Sequence, residues 1–232
     1  MQPYFFPYIG YFALIAQTDR WVVFDVVQYN AKSWMNRNRV LHPRAGWQYV
    51  GVPVHRASKG TPIHEIRVQD KDAALARLLG QLEHYRRRAP YFPAAVEVVR
   101  HAFARVSTDR LVDINFSTLA VTCEYLGVPL DASLCSELEL DLDGIEHAGQ
   151  WALRISGQLG ADTYLNPPGG RAIFRAEEWA AAGIALRFVE PPPLRYDCRP
   201  YAFVENLSIL DVLMWNRPDT IAAALHEHAD AR

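Results

Sequence analysis

The run Arg20–Tyr29, RWVVFDVVQY, constrains the fold more than any other segment. It is β-branched and aromatic and apolar on successive residues. It is too short and too continuous for a surface helix, so it reads as a strand buried on both faces and ending near Asp25. A strand of that kind needs cover on both sides of its sheet, which is the arrangement of helices over parallel strands. The pattern along the rest of the chain agrees. Trp47–Val54 and Ile63–Val68 read as further strands, with a polar loop, NAKSWMNRNRV, before them. Leu75, Leu78, Leu79, Leu82 and Tyr85, then Val96, Val99, Phe103 and Val106, recur at helical spacing. A third helix runs through Phe116, Leu119, Cys123 and Leu126 and stops at Gly127, with Pro129 beyond.

Strand and helix then alternate: strand 136–142, helix 146–159, strand 161–165, helix 176–182, strand 184–189 and a last helical pair, 206–215 and 219–228, with Asn206 as the expected N-cap. The expected fold is therefore α/β, a Rossmann-like, mostly parallel sheet with flanking helices. It forms one domain over 1–232, carrying a central helical insertion at approximately 71–128.

Composition narrows the function. Twenty-four Lys and Arg against 26 Asp and Glu leave a net charge of −2, which is no footprint for duplex nucleic acid or an acidic membrane surface. No apolar run approaches the ~18–20 residues of a membrane span, and the N-terminus lacks the basic region and cleavage site of a signal peptide. Three cysteines, Cys123, Cys135 and Cys198, form no CxxC pair and no disulfide framework. These features together predict a soluble, cytoplasmic protein. The histidines show no HExxH or Cys/His spacing, so no metal site is expected.

Several stretches carry usable chemistry. MQPYFFPYIGYFALIAQ sets Gln2 and the phenols of Tyr4 and Tyr8 among prolines and rings at the start of an apolar helix, where free N–H groups can hold an anion; packed aromatics are the competing reading. Asp25, a carboxylate closing an apolar strand, is either a capping residue or a base at a strand end, with Gln28 nearby. Lys32, Trp34, Asn36, Arg37, Asn38 and Arg39 mix guanidinium and amide groups suited to a carboxylate, a phosphate, a nucleotide sugar or an acyl carbonyl, with a solvated loop as the competing and more frequent reading. The turn Tyr164–Gly170 permits close backbone approach but is neither a Walker loop nor GxGxxG. Asp211, at i+3 from Ser208 within Ile209–Leu213, serves either a structural network or the site. Cys198 reads as a plain buried or loop thiol, with a nucleophile aided by a histidine as the minor alternative that no sequence context favours.

In these blocks the chain resembles the WbqC-like family of bacterial proteins: QPYFFPYIGYFALI at 2–15, FDVVQYNAKSWMNRNRV at 24–40, GWQYVGVPV at 46–54, LGADTYLNPPGG at 159–170 and LSILDVL at 207–213. Members are often encoded in O-antigen or other polysaccharide and natural-product clusters, and a glycine-transferase role has been suggested for some. The resemblance thus implies aminoacyl or acyl transfer onto an amino-bearing small molecule such as an amino sugar. The donor would be an acyl thioester, a carrier-bound acyl group or, in a nucleotide-dependent variant, ATP with magnesium; the acceptor could be nucleotide-linked. A non-catalytic sugar or nucleotide binder is the remaining alternative.

Taken together with the residues above, the expected site has Asp25 as base and Arg37 as donor or anion anchor, its two catalytic residues. Gln2, Tyr4, Tyr11, Gln28, Asn36, Asn38, Tyr164, Asn166, Gly169, Gly170, Ser208 and Asp211 would contact substrate. Where relatives usually carry a short apolar strand before the Gln-Pro-Tyr motif, this sequence has Met1, and it has Asn166 and Cys198 where relatives tend to have Gly and Gln. The pattern FxPYxGY also resembles the FxPxHxGH loop of HIGH-type nucleotidyltransferases, with Tyr8 and Tyr11 in place of both histidines.

Overall fold

A computed structural model describes residues 1–230, the side chains of 227–230 excepted. The chain forms two compact units, Glu137–Pro191 and a larger one built from Met1–Ser136 with the segment from Pro192 onward. It is a mixed α/β protein with short parallel sheets and flanking helices.

In the larger unit, helix α1 (Ile9–Ile15) leads to β1 (Trp21–Val23), which pairs in parallel with β4 (Ala132–Leu134). The apolar run is thus strand only at its start; from Phe24 the chain leaves the ladder. The hairpin β2 (Arg37–Leu41) and β3 (Trp47–Gly51) is antiparallel, with Arg39 opposite Tyr49 and Leu41 opposite Trp47. The last four residues of the segment expected to be a polar loop are therefore strand, because Asn38 and Val40 turn inward while the two arginines turn outward. The strand expected at 63–68 is instead a 3₁₀ turn at Ile63–Glu65 followed by single bridges, and the strand expected at 136–142 lies earlier, as β4.

Helices α2 (Lys71–Leu82), α3 (Phe92–Ala104) and α4 (Leu111–Leu126) follow the predicted periodicity. Asp70 caps α2 by accepting the Ala73 N–H at 2.9 Å. Pro93 sits in the first turn of α3, where its missing N–H costs nothing. Gly127 ends α4 in the left-handed conformation at φ 67°. α4 packs against α3 and α8 (Pro218–Asp230) and is buried nearly all round, which its buried hydroxyls tolerate because each donates to a backbone carbonyl. Ser117 Oγ donates to the Ala102 carbonyl, Thr118 Oγ1 to that of Asn115 and Thr122 Oγ1 to that of Thr118.

The smaller unit contains α5 (Gln150–Gln158), β5 (Thr163–Asn166), α6 (Ala176–Ala181) and β6 (Ala185–Phe188), with β5 and β6 parallel. Trp179 is its buried centre, stacked on Tyr164 with centroids 5.0 Å apart.

The N-terminal motif is the keystone of the larger unit. Phe6 adopts φ 38°, a left-handed conformation that costs a bulky side chain roughly 1–3 kcal/mol. It is held there from several directions. The Phe6 carbonyl accepts Asn38 Nδ2 at 2.9 Å and Ser208 Oγ at 2.7 Å, and Asn38 Nδ2 also reaches the Phe5 carbonyl at 3.0 Å. The Phe5 N–H donates to the Trp34 carbonyl at 2.9 Å. Ser208, rather than Asn206, caps α7 (Ile209–Trp215) through the Leu210 N–H, while Asn206 takes φ 55°, which Asn tolerates.

Asn38→Ala would strand the Phe5 carbonyl and leave the Phe6 carbonyl to Ser208 alone, and should cost about 1–3 kcal/mol; Ser208→Ala, which loses one bond and the cap, should cost about 1–2 kcal/mol. Urea unfolding measures both, and values within about 0.5 kcal/mol of the parent, the range of ordinary surface changes, would show that the turn is held by other contacts.

Candidate functional site

The predicted residues fall into distinct environments. Asp25 is fully buried just past β1. Its Oδ1 accepts the Ser136 N–H at 2.9 Å and its Oδ2 the Ser136 hydroxyl at 2.6 Å, while its carbonyl accepts the His64 N–H at 3.1 Å. This carboxylate ties the end of β1 to the residues after β4. Gln28 is exposed, its backbone bridged to Pro62.

Gln2, Tyr4 and Tyr11 do come together. Tyr11 Oη donates to the Gln2 carbonyl at 3.0 Å, and the Tyr4 and Tyr11 rings lie 5.1 Å apart. With Trp21 and Asn115 they line a void of about 10 Å³, room for roughly one water rather than a sugar. Asn115 donates both amide protons, to the Pro3 carbonyl at 2.8 Å and the Met35 carbonyl at 2.7 Å, which leaves its buried Oδ1 without a protein partner. Burial raises the Tyr4 phenol. Helix α1 is seven residues long and buried throughout, with the Tyr8 ring against Gly10 in its first turn. The expected anion cradle at this helix start is therefore covered by the protein's own ring.

Asn38 and Ser208 are buried and committed to the Phe6 turn. In the smaller unit, Tyr164 Oη donates to Asn166 Oδ1 at 3.1 Å, and Asn166 Nδ2 donates to the Pro167 carbonyl at 2.9 Å. The Asn166 amide packs where a side chain on residue 170 would sit, so a larger residue there would displace that amide; Gly169 is exposed, with open space where a Cβ would lie. Burial pushes the Tyr164 phenol up.

Asp211 is the centre of a second buried network. Its Oδ1 takes a hydrogen bond from Tyr85 Oη and one from the Leu41 N–H at 3.3 Å, and its Oδ2 takes one from Tyr196 Oη at 2.6 Å. Burial raises the Asp211 carboxyl above its ordinary value, opposed by these donors. Burial first, then the Asp211 charge, raises both phenols. Tyr196 is half-buried, so it is the member of the network nearest solvent. Tyr85 was legible only as a helical core position. Tyr196 had no local signal at all, because its partner lies 15 residues on.

Arg37 and Arg39 point outward from β2. One terminal nitrogen of Arg37 is held by the Lys32 carbonyl at 3.0 Å, and one of Arg39 by the Asn206 carbonyl at 3.2 Å. Neither has a carboxylate partner among the described residues. The Arg37 guanidinium lies 4.3 Å over the Tyr49 ring, and that of Arg39 lies 5.1 Å from both the Trp34 and Trp47 rings. Beside them, Asn36 spends its Nδ2 on the Val52 carbonyl and leaves a buried Oδ1 free of partners, as does the hydroxyl of buried Tyr29. Trp47 and Tyr49 were readable from their alternation with Gln48, but only strand pairing shows that they share a face with the arginines.

Burial raises every thiol: Cys123 to about 12, Cys135 to about 11, with the Asp25 charge adding to the latter, and Cys198 upward with help from Asp211 and Asp197. Among the described residues no cluster of His, Cys, Asp or Glu is placed to hold a metal, and no helix is long and apolar enough to cross a membrane.

The pattern that describes the WbqC-like protein family matches residues 2–223, and the chain belongs to that family. It is 27% identical over 215 residues to an uncharacterized protein, Rv1507c, of Mycobacterium tuberculosis, covering 92% of this chain and 90% of that one. No solved structure matches it at a significant level.

The thiol environments predict slow alkylation. Because a raised pKa depletes the thiolate at neutral pH, iodoacetamide should label native protein at pH 7 far more slowly than urea-unfolded protein. The native rate should keep rising past pH 9, where an ordinary thiol levels off. Rapid native labelling of Cys198 at pH 7 would overturn this assignment.

Proposed function

We propose that this WbqC-family protein is a transferase that forms an amide on an amino-bearing small molecule, using an activated donor whose anionic group is held by Arg37 and Arg39. The observation that supports it is a single strand with two chemistries on it. β2 presents two guanidiniums without carboxylate partners among the described residues, and two residues beyond Arg39 its Leu41 N–H donates to Asp211, which also accepts Tyr196 Oη. In this reading one strand carries the anion anchor and touches the proton acceptor.

Amide formation requires removal of a proton from the incoming amine. In this reading the amine nitrogen attacks the acyl carbon while its proton passes to Tyr196 Oη, whose own proton moves to Asp211 Oδ2; the donor's leaving group departs with the bonding pair. Asp25, with both oxygens on Ser136, positions the strand end and takes no proton. The parallel pair β1 and β4 is taken as part of a Rossmann-like arrangement, in which ligands gather at strand carboxyl ends. A cytosolic biosynthetic setting follows from the same reading.

Mass spectrometry of the purified protein with an acyl thioester or nucleotide-linked acyl donor and an amino sugar tests the proposal. Tyr196→Phe should lower kcat by about 10²–10⁴, the usual range for a general base. Because the Asp211 carboxyl is raised, turnover should fall on acidification with a midpoint above the ordinary carboxylate value of about 3.9. Full activity in Tyr196→Phe, or a pH profile that is flat from 4 to 7, would remove the pair from the role.

A further inference from the structure

The outward face of the hairpin holds more than an anion anchor needs. Trp47 and Tyr49, 41% and 40% exposed, are large aromatic rings that the fold leaves in solvent when it could have buried them. Their centroids lie 5.0 Å apart at a near-perpendicular angle, and each already has a guanidinium against it. Two planar cations on β2 and two rings on β3, on one face of the hairpin with Trp34 closing one side, form a surface with stacking area and fixed positive charge together. Arg37 and Arg39 are two residues apart on β2, so about 6–7 Å separates their Cα atoms. That spacing suits one group carrying more than one negative charge. Exposed Lys32, at the edge, adds a third cation with no ion pair among the described residues.

The orphaned polar atoms point the same way. Tyr29 is 8% exposed, and its hydroxyl has no partner; it lies close enough to Arg37 to feel its charge. Asn36 Oδ1 and the Nε atoms of Arg37 and Arg39 are also buried without partners. A native protein rarely leaves so many buried polar atoms unmet in one place unless something else meets them. An unmet phenol and unmet guanidinium N–H groups match phosphate oxygens, and an unmet amide oxygen matches a sugar hydroxyl. The exposed rings match a flat base, since stacking of a base on an aromatic side chain is tolerant of base identity.

We infer that this face is a nucleotide site, in which Arg37, Arg39 and Tyr29 take the diphosphate, Asn36 takes a ribose hydroxyl, and Trp47 with Tyr49 stacks the base of a nucleoside diphosphate unit. The inference rests on the reading of Arg37 and Arg39 as donor anchors and commits that donor, or the acceptor bound with it, to a nucleotide-bearing molecule. It assigns no chemistry to the nucleotide itself, which serves as a handle.

Titration of the full chain with ADP, UDP, inorganic pyrophosphate and adenosine, by calorimetry and by tryptophan fluorescence, tests this. Both nucleoside diphosphates should bind saturably and quench fluorescence, and pyrophosphate should bind at least tenfold more weakly. Trp47→Ala should weaken the nucleotides tenfold or more and pyrophosphate by much less, because Arg39 keeps the Trp34 ring when the Trp47 ring is lost. Arg37→Lys with Arg39→Lys keeps the charge but loses the planar fork, and should weaken nucleotide and pyrophosphate alike by tenfold or more.

Equal affinity for pyrophosphate and nucleotide, no binding of either, or nucleotide binding indifferent to Trp47→Ala would each overturn the inference. Nucleotide binding without any transfer product would leave this site standing and sink the transferase reading. Product formation from a donor with no nucleotide, together with no nucleotide binding, would do the reverse.

Discussion

The larger unit depends on one backbone carbonyl. Phe6 sits in a left-handed conformation that a phenylalanine adopts only under constraint, and its carbonyl receives Asn38 from β2 and Ser208 from the cap of α7. Through that point the N-terminal motif, the hairpin and a helix more than 200 residues away in sequence are fastened together. The same turn presents the Phe5 N–H to the Trp34 carbonyl, so the backbone three residues before the hairpin is fixed as well. Strain of this kind is retained where the surrounding contacts over-determine it, and such places cluster at functional sites.

Seen from the turn, β2 has two faces with separate tasks. Inward, Asn38 and Val40 are buried and serve the core. Outward, Arg37 and Arg39 lie over aromatic rings, each with one nitrogen pinned by a carbonyl. Pinning lowers the entropy lost when a ligand is bound, so the guanidiniums are placed before any anion arrives. At the strand end, Leu41 donates to Asp211, which connects the hairpin to the tyrosines. The buried face thus holds the exposed face still.

Much of this was readable from residue pattern. The helices α2, α3 and α4 follow their apolar spacing, and Gly127 ends α4 as expected. The parallel pairing of β5 and β6 follows from strand and helix alternation. The polar run 30–40 was misread because a strand with one face buried and one carrying Arg and Asn has few apolar residues to announce it. Asp25 looked like a base because a carboxylate in an apolar strand is conspicuous; nothing local reveals that Ser136, 111 residues away, occupies both of its oxygens. Tyr29 and Tyr196 matter through partners, or the lack of them, that no local window contains.

The sequence by itself determined the class, α/β, the order of most elements and the kinship of its motif blocks, because these depend on periodicity, turn chemistry and ordered residue identity along the chain. Only the tertiary structure decided which polar residues are spent and which remain available. Asn38 and Ser208, chemically suited to a ligand, are consumed by the Phe6 carbonyl, whereas Arg37, Arg39, Tyr29 and Asn36 keep unmet donors or acceptors. Hydrogen-bond capacity is finite and is allotted by contacts between distant segments, so it is settled in space rather than along the chain.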